Sequence, residues 1–187
     1  MGKKLIPVKT VFAIGIGAAL MFVLMRFVAV PSGVPHTQLN PGIVVLSVFA
    51  AIFGPLAGFL IGFIGHTLVD LTSGGVWWSW IIAEALYGFV VGLLWKIYRL
   101  EEGKFGVKQA LIFNAAQIIA NLLAWLAIAS TLEILLYQEP SDKVYIQGLV
   151  AAVLNIGVVL IPGTLLLFAY SRTMAGRQGS REIRGSK

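Results

Sequence analysis

The chain has no cysteine and few charged residues, and both absences restrict what it can be. Without cysteine it has neither disulfides nor thiolate metal ligands. Only 12% of the 187 residues are Asp, Glu, Lys or Arg, whereas 58% are hydrophobic, and the mean hydropathy is +0.90. A soluble domain has about 25% charged residues. The sequence therefore predicts an integral membrane protein.

Six membrane crossings fit in this length at about 20 residues each, which leaves little chain for a soluble catalytic domain. The net charge is +6 and the pI is about 9.8. In a soluble protein these values would suggest binding to nucleic acid, but in a membrane protein basic residues first indicate topology. We therefore expect a lipid bilayer around the chain and no nucleic-acid partner.

The hydrophobic runs, and the Gly and Pro residues between them, predict an all-α integral membrane protein with six transmembrane helices. Gly54 and Pro55 separate a short second helix from the third, which predicts a tight hairpin. Pro162 and Gly163 predict a kink in the sixth helix. The predicted membrane domain is 1–172, followed by a basic, disordered tail at 173–187. The predicted spans are 10–30, 43–53, 55–71, 79–98, 109–137 and 144–170.

The distribution of basic residues predicts the orientation. With the N-terminus inside, twelve of the fourteen Lys and Arg residues fall on the inner side, and only Arg26 and Lys143 lie outside or near it. Cytoplasmic flanks of membrane helices collect Lys and Arg. Both termini are therefore predicted to be cytoplasmic.

Five ionisable side chains fall within the predicted spans, where each costs about 2.5 to 3.5 kcal/mol on insertion scales. Four of them lie near the outer ends of their helices and can share one outward-facing cavity. The alternative is that each one snorkels to the headgroups or pairs structurally. Those four are Arg26, His66, Asp70 and Glu84, and the fifth ionisable residue is Glu133.

Helical spacing places polar and small residues on common faces. Small residues at i+4 steps are typical of close helix packing, which would press the third helix into the bundle and carry His66 and Asp70 inward. The polar faces of four helices are expected to converge. They contain Gly54, Gly58, Gly62, His66 and Asp70; Trp77, Trp80, Glu84, Gly88 and Gly92; Asn114, Gln117 and Asn121; and Gln147, Ala151 and Asn155.

Three tryptophans stand close together at the start of the fourth helix: Trp77, Trp78 and Trp80. Flat rings beside carboxylates and amides suit a small aromatic heterocycle that stacks on a ring and hydrogen-bonds at its edge. The alternative is an interfacial aromatic belt. We expect one or two of the three rings to face a ligand. His66 with Asp70 is weak support for a metal, because no further His or Cys accompanies them, and no metal is predicted.

Three sequence segments occur together in a way that is characteristic of one family. They are VKTV at 8–11 leading into AIGIGAA at 13–19, IFGPLAG at 52–58 leading into IGFIGH at 61–66, and WWSW at 77–80. With these segments the chain resembles the substrate-binding S components of energy-coupling factor (ECF) vitamin transporters, specifically the group associated with hydroxymethylpyrimidine. The resemblance covers most of residues 8–172, and the middle segment is the most specific.

The resemblance implies a six-helix protein of a prokaryotic cell membrane that captures a vitamin or vitamin precursor outside the cell. Its partners would be a membrane scaffold subunit (the T component) and two cytoplasmic ATPases (the A components). The chain has no Walker motif, so ATP and Mg²⁺ would be bound by the ATPases and this chain would need no cofactor.

The resemblance also implies two functional segments. Small residues of the first helix would contact the scaffold, either Ala13 with Gly17 or, in a second register, Gly15 with Ala19. The segment 31–42 would close over bound substrate. Its predicted gate residues are Pro35, His36, Thr37 and Asn40.

The predicted function is capture of hydroxymethylpyrimidine, with pyridoxine or another vitamin as alternatives, and delivery by reorientation in the bilayer. One competing hypothesis is an intramembrane enzyme using His66, Asp70 and Glu84, which is disfavoured because no Ser, Cys or metal-ligand set accompanies them. The other is a structural subunit without ligand. The predicted substrate-binding residues are Arg26, His66, Asp70, Trp77, Trp78, Trp80, Glu84, Gln117, Asn121 and Asn155.

Overall fold

The computed structural model describes residues 6–35 and 37–185, with side chains described up to residue 180. His36, one of the predicted gate residues, lies outside the described residues. The helices are α1 (Val8–Phe27), α2 (Gly42–Phe53), α3 (Pro55–Ser73), α4 (Trp78–Leu93), α5 (Val107–Leu122), α6 (Ser130–Tyr137), α7 (Ser141–Val158) and α8 (Thr164–Gly185).

Two π-helical segments join helices end to end. Leu123–Ala129 connects α5 to α6, and Val159–Gly163, which contains Pro162, connects α7 to α8. The eight elements therefore form six continuous helices, and the predicted all-α arrangement of six helices is confirmed. The second π-helical segment lies where Pro162 and Gly163 predicted a kink.

Four of the six continuous helices are long and apolar enough to cross a membrane: Val8–Phe27, Pro55–Ser73, Val107–Tyr137 and Ser141–Ser180. The other two, α2 and α4, have 12 and 16 residues. Both are shorter than the roughly 20 residues that span a bilayer without tilt or local thinning. The short second helix agrees with the sequence prediction.

The fourth helix ends earlier than its predicted limit at residue 98, because the backbone turns at Leu94. The Trp95 amide donates to the Gly92 carbonyl, three residues back instead of four. Arg99 has φ 53° and Gly103 has φ 65°. These left-handed conformations are incompatible with a continuing right-handed helix.

Close backbone contact holds α3 against α4. A Cβ added to Gly58 would lie 2.2 Å from the Gly88 carbonyl oxygen, and one added to Gly62 would lie 2.7 Å from the Glu84 carbonyl oxygen. No side chain fits between helices this close. The predicted packing role of the glycine stripe is therefore confirmed, and the tight α2–α3 hairpin turns at Gly54 with φ 90°.

The segment between α1 and α2 forms a small ribbon of two strands, β1 (Val30–Pro31) and β2 (Gln38–Leu39). They pair antiparallel with Val30 opposite Leu39 and Pro31 opposite Gln38. The first helix ends at Phe27, three residues before its predicted end, because the chain turns into this ribbon. Pro31, Pro35 and Pro41 in this segment disfavour a continuous helix.

The chain alternates between two ends of the bundle. One end, called here the ribbon end, carries the connections 28–41, 74–77 and 138–140; the other, called the basic end, carries the turn at Gly54 and the connection 94–106. Lys9 Nζ lies 3.2 Å from Glu101 Oε1 at the basic end. This alternation brings the end of α3, the start of α4, helix α6 and the ribbon together at the ribbon end.

The basic tail is helical, which corrects the predicted disorder from residue 173. Helix α8 continues to Gly185. Gln178 Nε2 donates to the Glu101 carbonyl oxygen at 3.1 Å, and a Cβ on Gly103 would lie 2.7 Å from Ala175. Arg, Gln, Met and Ala are good helix formers, and no proline follows Pro162. Local propensity and this contact together account for the helix.

Candidate functional site

A cavity of about 870 Å³ lies at the ribbon end, between the α3–α4 pair, the α5–α6 helix, α7 and the ribbon. Six of the predicted substrate-binding residues line it, and so do three of the predicted gate residues. They are His66, Asp70, Trp77, Trp80, Glu84 and Asn155, with Pro35, Thr37 and Asn40.

A chain of polar contacts forms the α3–α4 wall of the cavity. Glu84 is fully buried. Its Oε2 is hydrogen-bonded to His66 Nδ1, and its Oε1 accepts a hydrogen bond from Asn40 Nδ2 at 3.4 Å. His66 Nε2 lies 3.6 Å from Asp70 Oδ1. Asp70 Oδ2 accepts the Trp77 backbone N–H at 2.8 Å. These contacts tie the ribbon, both helices and the turn before α4 to one buried carboxylate.

The local sequence explains why this chain forms. His66 and Asp70 are four residues apart on α3, so they lie on the same face. Gly62, one turn earlier, allows the α3 backbone to reach the Glu84 carbonyl. The side chains of His66 and Glu84 consequently meet across the two helices.

A second set of contacts lies on the α5–α6 helix and centres on Glu133 and Trp125, which were not predicted as ligand contacts. Glu133 is 4% exposed, and its Oε1 accepts from Ser79 Oγ at 2.8 Å and from Trp80 Nε1 at 2.5 Å. The rings of Trp80 and Trp125 lie 5.0 Å apart between centroids at 41°. Trp125 Nε1 donates to Asn121 Oδ1 at 3.0 Å. Both indoles are thus held by their N–H groups.

Gln117 and Asn121, which were predicted to contact substrate, are buried but lie outside the cavity lining. Asn121 Nδ2 donates to Gln117 Oε1 at 3.0 Å, and Gln117 Nε2 donates to Asn114 Oδ1 at 3.4 Å. Asn114 Nδ2 then donates to Thr164 Oγ1 at 2.9 Å. This chain of amides begins at Trp125, so its members act as supports behind that ring.

Helix α7 contributes two amide side chains to the cavity. Gln147 Nε2 donates to the Pro35 carbonyl oxygen at 2.8 Å, which ties the ribbon to this wall. Asn155 is 3% exposed, and its Oδ1 has no hydrogen-bond partner among the described residues. A buried acceptor without a donor is costly, so this atom indicates where a ligand donor would bind.

Arg26, a predicted substrate-binding residue, does not reach the cavity. Its guanidinium carbon lies 5.9 Å from the Phe27 ring centroid, and the residue is exposed. Met25 occupies the inward face of this turn and lines the cavity instead. Successive helical residues are about 100° apart, so Arg26 faces away.

Trp78 is also outside the cavity lining, which corrects its predicted role. It is 47% exposed, its ring lies 6.4 Å from the Phe63 ring between centroids, and its backbone N–H donates to the Tyr137 hydroxyl. Trp77 and Trp80 line the cavity on the other side. Two of the three neighbouring tryptophans therefore line the cavity, and their contact with a ligand stays a prediction.

Sequence reasoning missed Trp125 as a lining residue. It placed Gln147 on a converging polar face but not among the substrate contacts, and it noticed Glu133 only as an acid within a span. Trp125 continues the i+4 steps of Gln117 and Asn121, which is a signal that was present in the sequence. Glu139 and Lys143, paired at 2.6 Å, complete the rim. Within residues 6–35 and 37–180, no three His, Asp or Glu side chains are grouped so as to hold a metal ion.

The small residues of α1 separate into two faces. Ala13 and Gly17 are buried, and a Cβ on Gly17 would lie 2.7 Å from Ile61 Cδ1. Gly15 and Ala19 are exposed, and a Cβ on Gly15 would meet nothing within 4 Å. Ala13 and Gly17 therefore pack inside this subunit. Of the two predicted registers, only the second, Gly15 with Ala19, lies on the surface.

A six-helix bundle with long apolar helices and a polar cavity at one end defines a membrane protein that binds a small molecule. Comparison with known proteins identifies the class more closely. The family model described as "ECF-type riboflavin transporter, S component" matches residues 5–172, and the chain belongs to this family. It is the substrate-binding subunit of an ECF importer, a multi-pass protein of the bacterial cell membrane and not an enzyme.

Relatives of the same length are known. A "UPF0397 protein" of Lacticaseibacillus casei (strain BL23) is 45% identical over 179 residues, which are 95% of this chain and 96% of the relative. "UPF0397 protein SAR2767" of Staphylococcus aureus (strain MRSA252) is 46% identical over 183 residues, 97% of this chain and 100% of the relative. No solved structure matches the chain significantly.

The comparisons confirm the predicted S-component family and show that the enzyme hypothesis was wrong. They do not identify the predicted substrate. The family description names riboflavin, and the relatives' names specify no ligand.

Proposed function

We propose that this S component captures a small planar heterocycle in the cavity at the ribbon end and that hydroxymethylpyrimidine is the first candidate. The observation that carries the proposal is the composition of the cavity wall, where indole rings stand beside buried carboxylates. Aromatic faces recognise the plane of a heterocycle, and polar groups recognise its edge.

The edge groups of the cavity are mainly acceptors. Glu84, Asp70 and Glu133 present carboxylates, and Asn155 Oδ1 lacks a donor among the described residues. Hydroxymethylpyrimidine offers an exocyclic amino group and a hydroxyl as donors. Pyridoxine offers hydroxyl donors on a similar ring. The cavity volume lies within the roughly 300–1,000 Å³ of small-molecule sites, so it also admits the three-ring system of riboflavin.

The same geometry supports the proposed roles of the ribbon. Asn40 contacts Glu84 on one wall, and Gln147 on the other wall donates to Pro35. The ribbon is therefore tied to both sides of the cavity mouth. We propose that it is the gate over bound substrate, with Pro35, Thr37 and Asn40 facing the ligand.

The proposed direction of transport follows from charge. Most of the Lys and Arg side chains that the structure describes lie at the basic end, which the positive-inside rule places in the cytoplasm, so both termini are proposed to be inside and the cavity to open outward. Gly15 and Ala19 form the proposed contact with the T component. Two A components would bind and hydrolyse ATP with Mg²⁺.

The test is to purify the subunit from cells and identify any copurifying small molecule by mass spectrometry. Titration calorimetry of ligand-free protein then compares hydroxymethylpyrimidine, pyridoxine and riboflavin. Hydroxymethylpyrimidine is expected to bind most tightly. Tighter binding of pyridoxine or riboflavin would replace the first candidate, and absence of any copurified or titrated heterocycle would contradict the proposed function.

A further inference from the structure

We propose that the ligand is bound as a cation, held between the free carboxylate oxygen of Glu133 and the ring faces of Trp80 and Trp125. This inference rests on the proposed function and refines its first candidate: a heterocycle of the same kind that carries a protonated amine should bind more tightly than hydroxymethylpyrimidine or pyridoxine. Four observations support it: the surroundings of Glu133, the hydrogen bonds of the two indoles, the charge of the cavity wall and the unpaired oxygen of Asn155.

Glu133 is a buried carboxylate with neutral neighbours. Both hydrogen bonds that it accepts, from the hydroxyl of Ser79 and the indole N–H of Trp80, reach the same atom, Oε1. Among the described residues, none of the ion pairs includes Glu133, and no hydrogen bond reaches its Oε2. Burying a carboxylate without a cation is costly, so a positive ligand would offset this cost.

The N–H groups of the two indoles are already used within the protein. Trp80 donates its N–H to Glu133, and Trp125 donates its N–H to Asn121. Both side chains line the cavity, so what they offer a ligand is ring surface and not a donor. The indole face is the most favourable aromatic surface for a cation.

The cavity wall as a whole is negative. Its described residues include four carboxylates and one lysine, so their net charge is −3 with His66 neutral and −2 with His66 protonated. The lysine, Lys143, is 2.6 Å from Glu139 at the rim. His66 lies between Glu84 and Asp70. The basic side chains described in the wall are thus paired with other acids, and none of them pairs with Glu133.

The unpaired buried acceptor points to the same class of ligand. Asn155 Oδ1, in the same cavity, requires a donor, and a protonated amine supplies several. A neutral heterocycle rich in carbonyl oxygens would leave the Glu133 charge uncompensated and would bring acceptors toward acceptors. Discrimination by charge is therefore built into this wall.

Two matched pairs of compounds test the inference. Pyridoxamine differs from pyridoxine, and 4-amino-5-aminomethyl-2-methylpyrimidine differs from hydroxymethylpyrimidine, by a protonated amine in place of a hydroxyl. Calorimetry at pH 7 measures all four against the intact purified subunit. The cationic member of at least one pair is expected to bind at least about tenfold more tightly than its neutral partner.

The variant Glu133→Gln isolates the charge. An amide oxygen still accepts from Ser79 and Trp80, so the fold of the wall is kept while the negative charge is removed. The preference for the cationic member is expected to disappear, with little change for the neutral one. Glu102→Gln is the matched control, because this carboxylate lies exposed at the basic end beside Arg99 and is expected to leave the preference unchanged.

The outcomes separate this inference from the proposed function. Equal or tighter binding of the neutral members, or an unchanged preference in Glu133→Gln, would overturn the cationic ligand while the proposed capture of a heterocycle stands. A copurified ligand that is neutral at pH 7 would overturn it as well. Failure of all four compounds to bind would overturn the inference, and it would reject the proposed function as well if riboflavin also fails to bind and no heterocycle copurifies.

Discussion

The two walls of the cavity are built in different ways. The α3–α4 wall is held by backbone contact between glycines, with Gly58 and Gly88 facing each other. The α5–α7 wall contains the π-helical segment Leu123–Ala129 and is joined by side-chain amides and hydroxyls. It has one close glycine contact, where a Cβ on Gly148 would lie 2.6 Å from the Trp125 carbonyl oxygen. The first wall is therefore joined mainly by close backbone packing, and the second mainly by a polar network.

The way in which each wall is built suits the side chains that it presents to the cavity. Close packing holds the Glu84–His66–Asp70 chain, in which each partner must stay within hydrogen-bond or ion-pair range of the next. The π-helical segment widens its helix by one residue per turn and carries Trp125 into the cavity; such segments are frequent at functional sites. Substitutions that act on one wall and spare the other can test this division.

The largest effect is expected at the glycine contact. Gly58→Ala would place a Cβ 2.2 Å from the Gly88 carbonyl oxygen, so the helices must separate. We expect destabilisation of more than about 3 kcal/mol, above the usual cost of overpacking. Thermal unfolding in detergent measures it. The control is Gly157→Ala, where a Cβ meets nothing within 4 Å; equal melting temperatures for both variants would contradict the packing argument.

Substitutions on a surface outside both walls should affect transport alone. Gly15→Leu and Ala19→Leu enlarge the exposed face of α1, where a close helix contact rests on small residues. Uptake into vesicles that contain the scaffold and ATPases is expected to fall at least about tenfold, with ligand affinity of the isolated subunit unchanged. Gly17→Leu, on the buried face, should lower stability and affinity together. Normal uptake by both exposed-face variants would remove this contact from the proposal.

The α3–α4 wall is tested by Glu84→Gln. The amide cannot form the charged pair with His66, and ligand binding is expected to weaken by about 1.5 to 3 kcal/mol, the range for a hydrogen bond to a charged group. Asp70→Asn is expected to act in the same direction. Calorimetry decides the matter, and wild-type affinity in both variants would assign the two acids to structure only.

The smallest effect is expected for the aromatic faces. Trp80→Ala and Trp125→Ala should each weaken binding at least tenfold, which corresponds to about 1.4 kcal/mol. Trp78→Ala should change little, because its ring lies against Phe63 and its backbone N–H keeps the bond to Tyr137. Fluorescence titration compares the three variants. A larger loss in Trp78→Ala than in the other two would reverse the assignment of faces.

The alternation of small and polar residues at helical spacing was enough to place half of the site. His66 and Asp70 share one face of α3 whatever the rest of the molecule does, and the glycine stripe indicates which face packs. The i+4 rule works there because α3 is a regular helix from Pro55 to Ser73. The same rule failed for Gln117 and Asn121, which support Trp125 from behind the wall.

By itself, the sequence determined the membrane environment, the six helices, the glycine contact and the acids that need partners, because these depend on composition and on a period of 3.6 residues. Tertiary structure alone decided that Glu133 meets Trp80 and that Ala13 and Gly17 face inward. A π-helical segment changes the register of every residue after it. Which of the two small-residue faces of α1 is buried depends on the helices packed against it. Local sequence spacing encodes neither this choice nor the change of register.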